Sequence, residues 1–182
     1  MSERGLGRAE IVTAALRLLD EYGLPDLSMR RLAADLGVRP SALYWHVENK
    51  QSLLAAVADR IVSEAGSAGG LADTARAVRR ALLAHRDGAE VVLSSAALAL
   101  GENAVHGLLR DALAREAHPD PERGATVLAQ FLLGHASLVQ QRMQAAVIGA
   151  YDQDPGAIDR EALADFDAGI RALRGGGHRG AD

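Results

Sequence analysis

The sequence predicts an all-α protein with an N-terminal helix-turn-helix domain, followed by a helical ligand-binding and dimerisation domain. Three observations carry this. Apolar residues recur at three- and four-residue steps through most of the 182 residues, capping residues stand at the heads of those runs, and glycine or proline punctuates their ends. No stretch alternates β-branched and polar residues for long enough to argue for a sheet. The first domain is set at residues 1–65, including a connecting helix, and the second at residues 66–182.

The first helix spans residues 8–22, where Ile11, Ala15, Leu18, Leu19 and Tyr22 share one face and Gly23 ends the run. The second starts on Ser28, whose hydroxyl suits free amide hydrogens, and presents Leu32, Ala33 and Leu36 inward before Gly37 stops it. Val38 packs back as the chain turns, and Pro40 sits near the start of a third helix, where a missing amide hydrogen costs little. Asn49 caps the next run, in which Leu53, Leu54, Val57, Ala58, Ile61 and Val62 form a helix leading out of this head. The stretch GSAGG at 66–70 is the clearest break. Beyond it a helix over 71–85, a short apolar segment over 89–100 and a helix from about 103 to 116 follow, with Pro119 and Pro121 as punctuation. The longest periodic run covers 123–148, with Val127, Phe131, Leu132, Leu138, Val139, Met143 and Val147. A last helix over 158–173 carries Leu163, Phe166, Ile170 and Leu173, and GGGHRGAD reads as a tail.

An apolar content of 48% supports a real core, and the absence of cysteine excludes disulfides and thiolate metal sites. The polar start has no signal-peptide character, and the apolar run 91–100 is too short to span a bilayer, so a soluble cytoplasmic protein with no membrane partner is expected. Net charge is −4, which sits poorly with a nucleic-acid binder. Residues 1–60 hold eight basic and eight acidic side chains, so the head is neutral and the remainder carries the deficit. DNA binding therefore requires Arg4, Arg8, Arg30, Arg39 and Lys50 to gather on one face.

In helix-turn-helix modules the second helix enters the major groove with its first turn against the bases. Here that turn is Arg39, Pro40, Ser41 and Ala42. Arg39 suits a guanine edge or a phosphate, Ser41 donates or accepts, and Pro40 or Ala42 suits a thymine methyl. Tyr44 and His46 are placed for phosphates, and Lys50 beside the Asn49 cap is placed to hold another. Alternatively Tyr44, Trp45 and Val47 close a small core, a role compatible with the first. Double-stranded operator DNA is the expected partner. The two long C-terminal helices are read as pairing with the same two of a second copy, giving a homodimer through a four-helix interface. A regulatory pocket for a small molecule among residues 71–148 has His85, His106, His135, Gln140 and Gln141 available. No metal motif, phosphate loop or nucleophile–histidine–carboxylate order is present, so no cofactor, no metal and no enzymatic activity are expected. The rival reading is a helical protein-interaction adaptor.

Residues 43–50, LYWHVENK, resemble the LYWHVKNK of the tetracycline repressors, and LAADLGV before them resembles LAxKLGV; RRALLAHRDGA at 79–89 resembles RRALLRYRDGA, and residues 131–141 match faintly. The chain is thus identified as resembling the TetR family of bacterial transcriptional regulators. The resemblance implies a homodimeric repressor that binds a palindromic operator and is released by a small molecule. It places operator contacts on Ser28, Arg30, Arg39, Pro40, Ser41, Ala42, Tyr44, His46 and Lys50. The tetracycline repressors have Glu, Gln, Pro and Thr where this chain has Arg39, Pro40, Ser41 and Ala42, which implies a different operator. A family histidine that helps hold magnesium falls on Val92, and a nearby glutamate falls on Val139. Valine offers a metal no ligand atom, so the effector is expected to be an apolar organic molecule contacting Val92, His106, His135, Val139 and Met143.

Overall fold

The computed structural model describes residues 6–66 and 69–175; Arg4 and the tail beyond Gly175 lie outside them. Among the described residues the chain forms nine helices and no strand: α1 (Arg8–Tyr22), α2 (Met29–Asp35), α3 (Pro40–Leu43), α4 (Lys50–Ser63), α5 (Leu71–Ala84), α6 (Gly88–Ala97), α7 (Ala104–Arg115), α8 (Pro121–Val147) and α9 (Pro155–Gly175). The all-α expectation holds.

Local chemistry sets most of the boundaries. Ser28 Oγ accepts from the amide of Arg31 at 3.2 Å, and Asn49 Oδ1 accepts from the amide of Ser52 at 2.8 Å, so both expected caps are formed. Asp120 Oδ1 accepts from the amide of Arg123 at 3.0 Å, with Pro121 at the first helical position. That proline therefore opens α8 rather than interrupting the chain, and the helix starts two residues earlier than its apolar period indicates. Asp154 does the same for α9, accepting from the amide of Ala157 at 2.8 Å. The apolar segment after Gly88 is itself helical, as α6.

One hydrophobic core runs from the head into the body, because α4 packs against α1 on one side and against α5, α6 and α7 on the other. Ile11, Leu19, Leu32, Leu43, Leu53 and Ile61 are fully buried at one end, and Leu71, Leu82, Leu109, Leu113 and Phe166 at the other. Each contributes about 1.5–3 kcal/mol of burial free energy. The α8–α9 pair is the body's largest helix contact, and a polar seam ties α9 to α5. Arg76 grips Asp167 through Nε at 2.8 Å and Nη2 at 3.0 Å, while the buried Arg79 reaches Asp159 at 2.7 Å. Arg76 and Arg171 hold the Asp167 carboxyl below the usual carboxylate range, the hydrogen bond from Arg76 being the main cause.

The break between α5 and α6 is held from outside by α8. Gln140 donates through Nε2 to the carbonyl of His85 at 2.8 Å and accepts through Oε1 from the amide of Ala89 at 3.0 Å. Asp87 at the head of α6 stands at φ 56°, in the left-handed region. Its carboxylate accepts from the amide of Leu24, in the turn after α1, at 2.7 Å, and from Gln144 of α8 at 2.6 Å.

Candidate DNA interface and effector cavity

The turn between α2 and α3 is closed by the amide of Val38 donating to the carbonyl of Ala33 at 2.9 Å, with Gly37 at φ 66°. Arg39 is the extended cap residue of α3, which Pro40 opens. The regular part of α3 is a single turn, after which Leu43 and Val47 anchor the segment in the core. Everything between those anchors faces outward. Arg39, Pro40, Ser41, Tyr44 and His46 are exposed, and Trp45 is 86% exposed. Of Tyr44, Trp45 and Val47, only Val47 is buried in the core, so the tryptophan ring is left exposed beside Tyr44 and His46 in the chain. Ser28 and Arg30 are exposed at the start of α2, and the half-buried Lys50 begins α4.

The electrostatics sort the neutral head into two groups. Arg17 pairs with Asp35 and Glu21, Arg31 with Asp26 at 3.5 Å, and Arg60 with Glu64 at 3.3 Å. Arg31 also stacks its guanidinium 4.4 Å over the Tyr22 ring. Arg30, Arg39 and Lys50, by contrast, have no carboxylate partner among the described residues. Three acids of the head, Glu21, Asp26 and Asp35, are thus engaged by arginines not proposed to touch DNA, while the three cations at the expected interface have no such carboxylate competing with phosphate.

The expected effector contacts are not brought together. Val92 is buried on α6 against a gap of about 20 Å³ lined by Ala58, Val62, Ser95 and Val105, too small for more than a water molecule. The half-buried His106 faces α8 from α7, its Nε2 3.3 Å from the carbonyl of Glu122 and 3.3 Å from Thr126 Oγ1. His135 lies between α5, α8 and α9, accepting from Arg79 Nε at 3.3 Å with its ring 5.0 Å from that of Phe166. Burial and the Arg79 charge hold its pKa below the ordinary histidine value, so the neutral ring that accepts this bond is the favoured form. Val139 is buried between Ile158 and Ala162.

Met143 alone of the five lines the large cavity, about 750 Å³ and open to solvent, between the α5–α6 break, the C-terminal half of α8 and the start of α9. Leu83, Met143, Val147 and Ile148 supply apolar wall there, and His85, Gln140, Gln141 and Gln144 supply polar groups. Three of these polar residues were candidates from composition. Asp87 and Gln144 were not, since only the long-range packing of α8 on the α5–α6 break brings them in.

A sequence model described as "Bacterial regulatory proteins, tetR family" matches residues 11–57. The crystal structure of Mycobacterium smegmatis BioQ superposes with a TM-score of 0.78 at 36% identity, covering 93% of this chain and 99% of that one. The chain belongs to the TetR family. It has the family's architecture, N-terminal helix-turn-helix helices followed by a C-terminal helical bundle. The class D tetracycline repressor of Escherichia coli is 42% identical over 100 residues, which cover 50% of this chain and 46% of the repressor. The chain therefore matches about half the length of that curated relative. A structure of BioQ with its natural double-stranded DNA operator also superposes, with a TM-score of 0.74 at 34% identity over 94% of this chain and 99% of that one. Among the described residues, no helix is long and apolar enough to cross a membrane.

Proposed function

We propose that this TetR-family chain is a homodimeric repressor that binds a palindromic operator through residues 28–50 and is released by a small organic effector. The observation that carries the reading is the sorting of charge in the head: Arg8, Arg30, Arg39 and Lys50 have no carboxylate partner among the described residues, while Arg17, Arg31 and Arg60 are paired internally and the turn 39–46 is exposed. The crystal structure of BioQ with its double-stranded DNA operator, onto which the chain superposes over most of its length, supports duplex DNA as the partner. Arg39, Pro40, Ser41 and Ala42 read bases, and Ser28, Arg30, Tyr44, His46 and Lys50 hold the backbone. The pairing surface is the apolar strip of α8 and α9, where Val127, Leu138 and Leu163 remain exposed in one protomer. The effector binds without a metal, since Val92 and Val139 offer none a ligand, and the cavity beside Met143 is the space large enough to admit it. The site of action is cytoplasmic.

The rival, a helical adaptor, rested on the neutral head. A gel shift of the purified protein against the upstream region of its own gene, across a salt series, separates the two. Selection of one duplex over random DNA, with affinity falling steeply with salt, is expected; no selection at low salt would overturn the repressor reading.

A further inference from the structure

We propose that His85 is a positioning residue for the DNA head: its imidazolium clasps α1 and α4 to the α5–α6 link, and loss of its proton frees the head from one fixed angle to the body. The inference rests on the DNA-binding reading above. His85 ends α5 in an extended conformation, which turns its ring out of the helix and toward the head. Nδ1 lies 3.0 and 3.2 Å from the two carboxylate oxygens of Asp20, near the end of α1. Nε2 lies 2.9 Å from Glu64 Oε2, just past α4. The side chain is only 12% exposed. The neighbouring backbone joins in, since the amide of Arg86 donates to Asp20 Oδ1 at 3.1 Å and the Arg86 guanidinium donates to the carbonyl of Glu21 at 3.2 Å.

The chemistry of imidazole makes this geometry specific to one protonation state. Only the imidazolium carries N–H on both ring nitrogens, so only it donates to both carboxylates at once; the neutral ring keeps one bond and turns a lone pair on the other acid. The carboxylates sit at opposite ring nitrogens, so the three groups do not converge on a point, and among the described residues no group of three such ligands does.

The charged groups around the ring leave its sign clear. From α1 come Asp20 and Glu21, the latter shared with Arg17; from the end of α4 come Glu64 and its partner Arg60; from the link come Arg86 and Asp87; α8 presents the uncharged Gln140, whose amide donates to the carbonyl of His85. Burial pulls the His85 pKa down, but the hydrogen bonds its ring donates to Glu64 and Asp20, together with their charges, outweigh it and hold it above the ordinary value. The folded pKa is therefore raised relative to an unclasped ring. The clasp is fully present below the ordinary histidine value and is lost as pH rises through the raised one. Heads held at one angle match two fixed half-sites better than heads free to tilt, so losing the clasp weakens operator binding.

The test uses the full-length protein with its selected operator duplex, comparing the parent with His85→Gln and Glu64→Gln from about pH 6 to about pH 8.5. Across that range the parent is expected to lose about fivefold more operator affinity than His85→Gln. His46, on the proposed DNA face, is common to both proteins and cancels from this comparison. The NMR titration of the His85 ring in free protein is expected above the ordinary histidine value in the parent and lower in Glu64→Gln. A ring titrating at or below the ordinary value, or equal pH dependence of binding in parent and His85→Gln, would overturn the proposal. If no duplex is bound at any pH, the DNA-binding reading fails, and amide exchange at residues 20–24 and 61–65 still decides the clasp. Slower exchange at low pH in the parent, absent from His85→Gln, supports it, and identical exchange refutes it.

Discussion

Asp87→Ala tests the joint between head and body most directly. The carboxylate is 8% exposed and accepts two short hydrogen bonds, from the Leu24 amide at 2.7 Å and from Gln144 at 2.6 Å. A hydrogen bond to a charged acceptor contributes about 1.5–3 kcal/mol, and truncation leaves both donors partly buried and unsatisfied. Taking the low end for two bonds, because both are only partly buried, gives a loss of about 3 kcal/mol. At about 2–4 °C per kcal/mol for a chain of this size, the melting temperature should fall by roughly 6–12 °C. Alanine at φ 56° adds strain in the same direction, whereas asparagine tolerates that conformation and keeps one acceptor, so Asp87→Asn should lose about half as much. Thermal melts followed by circular dichroism, with a double-mutant cycle to Gln144→Ala, read both effects. An Asp87→Ala melt within about 2 °C of the parent would show that these bonds do not hold the joint.

Other predictions concern the DNA face, the pairing face and helix packing. Lys50→Ala should lower affinity for all duplexes and reduce the salt slope by about 1, measured by fluorescence anisotropy; an unchanged slope removes the phosphate contact. Arg39→Ala should cost roughly 1–3 kcal/mol on the selected operator and little on random DNA, and equal losses on both would make it another backbone contact. Leu138→Arg should turn the dimer into a folded monomer in light scattering, while an unaltered mass would place the interface elsewhere. Gly169→Ala sets a methyl 2.2 Å from the Phe131 ring, which is stacked on Phe166 at 5.8 Å, and overpacking of this kind costs about 1–3 kcal/mol. A melt equal to the parent's would mean that α9 shifts freely on α8.

What could be read from the residues divides by range. The span of α1, the Ser28 and Asn49 caps and the opening proline of α3 follow from neighbours within four positions, and the structure has each of them. Pro121 and Pro155 carry the same local signal as Pro40, and both helices begin there, earlier than apolar periodicity indicates. The exposure of the proposed DNA contacts was legible because one turn contains most of them. The cavity was not, because helical period says which residues face inward and not which helix they meet. Val92, His106 and His135 point to three different neighbours, while the clasp joins positions 20, 64 and 85, and the Asp87–Gln144 bond spans 57 residues.

The single turn of α3 divides its labour sharply: Leu43 and Val47 hold the segment down, while residues 39–41 and 44–46 are exposed and contribute little to folding. Exposed substitutions of this kind usually change stability by no more than about 0.5 kcal/mol. A lineage that duplicates such a gene is therefore free to explore new target sequences one residue at a time, without passing through unfolded intermediates. On the proposed reading, mutational drift in regulatory wiring is cheap here, because most of the side chains assigned to bases are not the ones that pack.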